Sequence, residues 1–256
     1  MKTKVIILLS FVLFSFFVSC KKDEPKVSEE ELDVATECAV NINIGIQSFV
    51  TSSISVAADE GFNASVPELP SMKKGDSAKG TYDYSWIGPD SQGWYTRSMN
   101  GSYGYDYYER IRIRDTIDYI SRISYSGADG SYENTTTTKY IKYVKNQKTL
   151  YKGFSKWEVH TSGYSNMSRF EWKMTFTDWN PASCAGIYDW YWGVSENSGG
   201  DTVPLHRFEN FTATEIGNNL LHCHITFYDE GNMEIWDFEY DTPYVNVDMP
   251  EVESVK

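Results

Sequence analysis

Aromatic and polar residues alternate along the chain over residues 80–244, in runs that are separated by turn residues. The clearest run, residues 169–178, places Trp172 and Met174 on one face of an extended chain and Lys173 on the other. Such alternation, broken about every 8 to 16 residues by Gly, Pro, Asn or Asp, is typical of antiparallel strands. The pattern therefore predicts a mainly β fold.

The dipeptide Asn100-Gly101 lies between two alternating runs, and because both residues tolerate positive φ it predicts a tight hairpin turn. About ten strands of this kind form a large antiparallel meander. To bury its aromatic face, the meander must curl into a barrel or half-barrel, or fold into a sandwich. We predict one antiparallel β domain over residues 80–244, followed by an acidic tail over residues 245–256.

The segment before the predicted strands has a different spacing of its apolar residues. Apolar or small residues recur every three or four positions over residues 34–58, which fits one face of a helix. The members of this face are Ala35, Cys38, Ala39, Ile42, Ile46, Phe49, Val50, Ile54 and Ala57. Residues 40–46 also alternate as a strand would, but the helical period continues to Ala57 and favours an N-terminal helix that covers or plugs the sheet. Residues 59–79, with two prolines, are predicted to be a connecting loop.

The composition supports a folded, strand-rich protein: 41% of the residues are hydrophobic and 16% are aromatic. These values exclude a disordered polymer, and the aromatic content disfavours a helical bundle. No fixed-period repeat is present, which excludes a propeller or a solenoid and leaves a single β domain.

The N-terminus carries an export signal. Lys2 and Lys4 precede an apolar run over residues 5–18 that matches a signal peptide and is too short for a membrane span. The run ends at Ser19-Cys20, which resembles a bacterial lipobox. The following Lys21-Lys22-Asp23-Glu24 resembles the signal that directs lipoproteins of Bacteroidota to the cell surface.

This resemblance implies that residues 1–19 are removed, that Cys20 carries acyl chains and that residues 20–33 form a tether. It implies a protein that is lipid-anchored to the outer membrane and faces the cell surface, with the periplasmic face as the alternative. A plain secretory signal followed by a chance cysteine is the competing interpretation. The resemblance does not extend to the β domain.

The charge of the chain limits its partners. The formal net charge is −13, and removal of Lys2 and Lys4 with the signal peptide would lower it to −15. Such a charge repels phosphate backbones and anionic lipids, so nucleic acid is excluded as a partner. Contact with the membrane is expected through the acyl chains on Cys20.

Three cysteines remain beyond Cys20, namely Cys38, Cys184 and Cys223. They can form at most one intramolecular disulfide, and the sequence leaves the pairing open. No Cys-x-x-Cys motif occurs, so buried thiols or one structural bridge are expected in preference to redox catalysis.

Three short triplets resemble the Asp-Ser/Thr-aliphatic acceptor for O-glycosylation of exported Bacteroidota proteins. They are Asp76-Ser77-Ala78, Asp115-Thr116-Ile117 and Asp201-Thr202-Val203. Ser77, Thr116 and Thr202 are therefore possible modification sites, with Asp115 expected to lie within the sheet.

The segment His222-Cys223-His224 places two imidazoles on one side of a strand. If Glu230-Gly231 form the next turn, His224 lies opposite Asp237 and His222 opposite Glu239. Two histidines and two carboxylates are ligand types that zinc and other transition metals accept. Cross-strand His–carboxylate pairs that stabilise an exposed sheet without a metal are the competing interpretation. The other histidines, His160 and His206, are expected to be isolated.

Two aromatic stripes suggest a binding surface. Tyr188, Trp190 and Trp192 form one stripe, and Tyr103, Tyr105 and Tyr107 form the other. Stripes on one face are most often core, but an aromatic-lined cavity or surface would suit an apolar ligand or a glycan.

Three functions follow as hypotheses. The first is a non-catalytic, lipid-anchored envelope protein that binds an apolar ligand, a glycan or an envelope partner. The second is a metal-dependent hydrolase that uses the histidine hairpin, with Glu234 or Asp229 as base. The third is a structural component of an outer-membrane assembly. No motif of a nucleophilic, nucleotide-binding or metalloprotease active site is present.

Overall fold

A computed structural model describes residues 26–59, 85–100, 105–128, 130–162, 169–180, 183–193, 202–218, 220–228 and 234–243. The chain forms one helix followed by ten strands. They are α1 (Glu29–Asp59), β1 (Tyr95–Asn100), β2 (Tyr105–Ile113), β3 (Ile117–Gly127), β4 (Gly130–Lys145), β5 (Lys148–Ser162), β6 (Arg169–Asn180), β7 (Ser183–Gly193), β8 (Thr202–Gly217), β9 (Leu220–Tyr228) and β10 (Glu234–Pro243). The predicted mainly β fold with an N-terminal helix is confirmed.

The ten strands form a single sheet in the order of the chain, and each strand pairs antiparallel with the next. Among the described strands β1 does not pair with β10, so the sheet is open and the closed-barrel alternative is not formed. The turn between β4 and β5 shows why the strands reverse so tightly. Asn146 and Gln147 have φ values of 53° and 65°, the geometry that a two-residue hairpin requires.

The first hairpin corrects a prediction. Asn100 lies within β1, opposite Asp106 of β2, so Asn100-Gly101 is not a two-residue turn. The connection between these paired residues is longer, and the turn signal alone did not give its length. The hairpin itself is present.

The helix begins earlier than predicted. The Ser28 hydroxyl accepts a hydrogen bond from the Glu31 N–H (3.2 Å), and the Glu31 carboxylate accepts one from the Ser28 N–H (2.7 Å). This reciprocal cap starts α1 at Glu29, and the acidic residues 29–31 form its first turn, where the helix dipole favours negative charge. Residues 29–33 therefore belong to the helix and not to the predicted tether. The cap hydrogen bond from Ser28 lowers the pKa of the Glu31 carboxyl.

One face of α1 is buried against one face of the sheet, which we call the inner face. The buried helix residues agree with the predicted helical period and exclude the strand alternative for residues 40–46. They include Leu32, Ala35, Cys38, Ala39, Ile42, Ile46, Phe49 and Val50. Residues 40–46 are helical, so the alternation of β-branched and polar residues there does not indicate a strand.

The helix crosses the whole sheet. The Val27 N–H donates to the Tyr95 hydroxyl of β1 (3.2 Å), the Tyr140 hydroxyl of β4 donates to the Ala35 carbonyl (2.7 Å), and Ser53 bonds the Tyr240 hydroxyl of β10 (2.5 Å). A helix of 31 residues is about 46 Å long. Ten strands spaced about 4.8 Å apart span about 43 Å, so the helix and the sheet match in length.

Glycines let aromatic rings fit between the strands beneath the helix. Gly186 lies between Phe176 of β6 and Phe211 of β8. A Cβ atom on Gly186 would lie 2.1 Å from the Thr175 carbonyl oxygen and 2.8 Å from the Phe211 ring. The space between Phe176 and Phe211 is therefore too small for any residue larger than glycine at position 186.

Several predicted segments lie outside the described residues: the signal peptide 1–19 with Cys20, the loop after Asp59, and the tail 245–256. Asp59 itself is the last residue of α1. In the part of the chain that the structure describes, no helix is both long and apolar enough to span a bilayer.

Candidate functional site

The histidine hairpin forms, but its predicted register is wrong by two residues. His224 lies opposite Glu239, and His222 lies opposite Asp241. The predicted Glu230-Gly231 turn is too short, because β9 ends at Tyr228 and the pairing shifts between Glu234 and Trp236. A shift of two residues keeps every side chain on its face, so the imidazoles and carboxylates still share the outer face of the sheet.

His224 meets Asp237 diagonally across the two strands, whereas His222 meets Asp241 directly opposite it. His224 Nε2 lies 2.6 Å from Asp237 Oδ1. His222 Nδ1 lies 2.9 Å from Asp241 Oδ1, and its Nε2 lies 3.7 Å from Glu239 Oε2. The side chains are 41–66% exposed. Asp241 was missed because the predicted register stopped short of it.

These side chains form two separate groups: His224 contacts Asp237, and His222 contacts Asp241 and Glu239. Among the described residues, no group of three or more His, Cys, Asp or Glu side chains is placed to hold a metal ion. The geometry is that of cross-strand pairs on an exposed sheet. Of the possible bases, Glu234 is the first residue of β10 and Asp229 lies outside the described residues.

The other two histidines lie on different strands. His160 is exposed on β5, opposite Glu133 of β4. His206 is paired along the backbone with Trp190 of β7. Neither residue joins the hairpin.

The three cysteines are buried free thiols. Cys184 of β7 and Cys223 of β9 both lie opposite Ala213 of β8, which separates their Cα atoms by about two strand spacings. That is about 9 to 10 Å, beyond the reach of a disulfide. Burial raises the pKa of the Cys223 thiol to about 11, and it also raises that of Cys38. The thiols therefore stay protonated and unreactive at neutral pH.

The two predicted aromatic stripes lie along β7 and β2. Residues 188, 190 and 192 of β7 pair along the backbone with Met174, Trp172 and Phe170. Trp172 itself is buried against Trp157 of β5, with ring centroids 6.0 Å apart. Tyr105 and Tyr107 belong to β2 and lie on the same face as buried Ile111, the inner face, whereas Tyr103 lies outside the described residues.

Tyr105, Tyr125 and Tyr132 occupy neighbouring positions of β2, β3 and β4, and we call them the tyrosine row. The Tyr105 and Tyr125 rings lie 5.0 Å apart with an angle of 36° between their planes. Tyr105 is 47% exposed, while Tyr125 and Tyr132 are half-buried. Partial burial raises the pKa of Tyr132. The sequence showed Tyr105 as part of a stripe along β2, but not the two tyrosines that pairing places beside it.

A buried carboxylate lies next to the tyrosine row. Glu109 is 2% exposed, and its Oε1 accepts hydrogen bonds from the hydroxyls of Tyr107 (2.8 Å) and Tyr119 (2.7 Å). Its Oε2 accepts one from Arg97 Nε (2.5 Å). Three donors, one of them charged, satisfy the buried carboxylate. Burial, followed by nearby Tyr107 and Glu109, raises the pKa of Tyr119.

The same arginine connects the sheet with the start of the helix. Arg97 Nη1 donates to Asp33 of α1 (2.8 Å), and the indole N–H of Trp86 donates to the same oxygen (2.9 Å). The guanidinium lies over the Trp86 ring, 4.3 Å from its centroid. Tyr107 is therefore part of a structural anchor, and this anchor was not predicted from the sequence.

The inner face also contains a polar cluster among its apolar side chains. The Asn43 side-chain oxygen of α1 accepts hydrogen bonds from the hydroxyls of Thr138 (3.0 Å) and Ser155. Nearby, the Trp157 indole donates to Asn134. All these residues are buried. They fix the position of the helix on β4 and β5.

One of the three triplets, Asp115-Thr116-Ile117, lies wholly among the described residues, and of Asp201-Thr202-Val203 the structure describes the last two residues. Asp115 and Thr116 occupy the turn between β2 and β3, where Asp115 is exposed and Thr116 is half-buried. The expectation that Asp115 lies within the sheet was therefore wrong, because this hairpin turns at residues 114–116. Thr202 is the first residue of β8, and Ser77 lies outside the described residues.

Comparison of the chain with protein-family models, with curated proteins and with solved structures found no match.

Proposed function

We propose that this chain is a non-catalytic, lipid-anchored binding protein of the cell envelope, and that the tyrosine row binds a glycan. The observation that carries the proposal is the exposed Tyr105 ring beside the Tyr125 ring. Paired aromatic faces on adjacent strands offer a stacking surface, and the phenol hydroxyls supply polar contacts.

The position of the helix favours a glycan over an enclosed apolar ligand. An apolar molecule held by a curled sheet would lie on the inner face. There the side chains of Leu32, Ile42 and Phe49 already fill the space against the sheet. The tyrosine row lies on the same inner face but leaves the Tyr105 ring 47% exposed, and its phenol groups suit a sugar ring with apolar and hydroxyl faces.

The anchor is proposed from the sequence around Cys20. The Val27 amide is held by Tyr95, so about seven residues separate the lipidated cysteine from the folded domain. An extended segment of this length reaches about 25 Å. The domain would therefore be held near the outer-membrane surface.

Binding is tested with the mature chain and a panel of oligosaccharides prepared from the host's surface polysaccharide, by saturation-transfer NMR and calorimetry. Loss of one stacked ring removes about 0.5 to 1.5 kcal/mol, so Tyr105→Ala is expected to weaken binding about 2- to 13-fold. Tyr108→Ala is the matched control, because Tyr108 is on the same strand and the opposite face.

Three results would overturn the glycan assignment. They are the absence of binding to any oligosaccharide, equal loss in the Tyr105 and Tyr108 variants, and tight binding of a fatty acid in preference to sugars. The last result would restore the apolar ligand. Capture of a defined envelope protein through the tyrosine row would instead support the structural role.

The anchor is tested separately by metabolic labelling of the host with an alkyne fatty acid. The wild-type chain is expected to incorporate the label and to fractionate with the outer membrane, whereas Cys20→Ser is not. An unlabelled wild-type chain in the medium would indicate a plain secretory signal. Protease treatment of intact cells separates the cell surface from the periplasmic face.

A further inference from the structure

The two edges of the sheet differ in whether another described segment of the chain forms hydrogen bonds with their backbone groups. At β1, Ile87 exchanges two backbone hydrogen bonds with Thr96, both 2.8 Å long, and the Asp90 N–H donates to the Trp94 carbonyl (2.9 Å). The segment before β1 therefore covers part of that edge. This is one of the ways in which proteins protect an edge strand.

At the other edge, β10 pairs with β9 over its whole length, Glu234–Pro243. Within the described ranges no segment pairs with its other side. Alternate residues of a strand direct their N–H and C=O groups towards opposite edges, so β10 offers a row of donors and acceptors that no described segment uses. The strand is held in place from the inner face, where Ser53 bonds Tyr240 and Thr242 is buried.

The charges along β10 define what can pair with it. Asp237, Glu239 and Asp241 follow one another on the outer face, and their side chains are 51%, 66% and 54% exposed. Among the described residues they form ion pairs with His222 and His224, which carry charge only when protonated. Two copies of β10 paired edge to edge would place carboxylates beside carboxylates, which disfavours self-association.

We propose that the outer edge of β10 is a docking site for an extended segment of a partner protein with Lys or Arg at alternate positions. The segment adds an eleventh strand to the sheet. Backbone hydrogen bonds supply affinity, and cross-strand ion pairs with the three carboxylates select the basic sequence. This docking site is independent of the tyrosine row, and either proposal can fail without the other.

Binding is tested with the mature chain and three fluorescent octapeptides, measured by anisotropy at low and physiological salt. The first alternates Lys with Thr, the second has the same composition with its lysines adjacent, and the third is the alternating peptide methylated on backbone nitrogens. We expect the alternating peptide to bind at least 10-fold tighter than the other two. Its addition should slow amide hydrogen exchange in β10.

The matched protein variants differ only in where three charges are removed. Asp237→Asn with Glu239→Gln and Asp241→Asn is expected to weaken binding at least 10-fold. The control, Asp106→Asn with Asp115→Asn and Glu215→Gln, removes three exposed charges elsewhere and should change binding less than 2-fold. Unchanged unfolding curves for both variants establish that the fold is retained.

Equal binding of the alternating and clustered peptides would overturn the proposal, because it would show simple charge attraction. Equal loss in the two variants would overturn it for the same reason. Slow exchange along the outer side of β10 in the free chain would also overturn it, since the edge would already be occupied. Binding that survives backbone methylation would exclude strand addition.

Discussion

The two faces of the sheet follow the same alternation but are stabilised differently. On β5, Trp157 of the inner face is 2% exposed. Its neighbour Lys156, on the outer face, bridges Glu158 and Glu171 at 3.0 Å each, with its side chain 27% exposed. Burial of an aromatic ring contributes several kcal/mol, whereas an accessible ion pair contributes about 1 kcal/mol or less. Adjacent residues on one strand thus differ greatly in their effect on stability.

The largest effect is expected at Phe211, which is fully buried and lies 4.9 Å from the Phe49 ring of the helix. Phe211→Ala should lower the free energy of unfolding by about 3 to 5 kcal/mol, through lost burial and a cavity. Thr212→Ala, at the next position on the outer face, should change it by less than about 0.5 kcal/mol. Urea unfolding measures both, and similar losses would contradict the assignment of faces.

A smaller effect is expected at the polar cluster on the inner face. Asn43→Ala removes the shared acceptor of Thr138 and Ser155 and should cost about 2 to 3 kcal/mol, because their buried hydroxyls lose a partner. Gln47→Ala, at a half-buried position of the same helix, is the control. In a Thr138→Val, Ser155→Ala background, Asn43→Ala should cost clearly less. An equal cost in both backgrounds would mean that the three side chains are not coupled.

The inner face should also give the protein an alkaline limit. The Cys223 thiol has a pKa raised to about 11 by burial, against 9.0 in the unfolded chain. Its stabilising contribution is complete below pH 9 and is lost as the pH rises towards 11, by up to about 2 to 3 kcal/mol. Thermal unfolding from pH 7 to 11 should show a steeper alkaline decline for the wild type than for Cys223→Ala. Parallel curves would show that this thiol is not the cause.

The smallest effect is expected on the outer face of the last hairpin. His222→Ala with His224→Ala should change the free energy of unfolding by less than about 1 kcal/mol, since both side chains are over 40% exposed. High salt should reduce even this difference. If a chelator instead lowered the melting temperature of the wild type but not of the variant, the metal-site hypothesis would gain support.

Much of the fold could be predicted from the alternation. Successive side chains of a strand point to opposite faces, so alternation along the sequence predicts both the strand and the face of each residue. It correctly placed Trp172 and Met174 on the inner face. It kept the two histidines on one face even though the pairing with β10 was wrong. The register between β9 and β10 depends on the length of their loop and on the irregularity between Glu234 and Trp236. Alternation along the sequence indicates neither of these.

The polar sites could not be predicted in the same way. The run of four threonines over residues 135–138 has no alternation, so nothing indicated that Thr138 would meet a helix residue almost a hundred positions away. Glu109 lies between arginines and tyrosines in a strand that reads as exposed, yet pairing surrounds it with donors. Tyr125 and Tyr132 joined Tyr105 only through the pairing of three strands.

The path of α1 across all ten strands has a consequence for folding. The helix precedes all the strands in the sequence and is therefore synthesised before them. Its contacts nevertheless join residues that are far apart along the chain, up to the 187 positions between Ser53 and Tyr240. Contacts of such separation slow folding, because the closure of a long loop precedes any gain from packing. Ser53, near the C-terminal end of the helix, gains its sheet partner Tyr240 only when the last strand is in place. Loss of β10 alone would thus leave the first element of the chain incompletely docked.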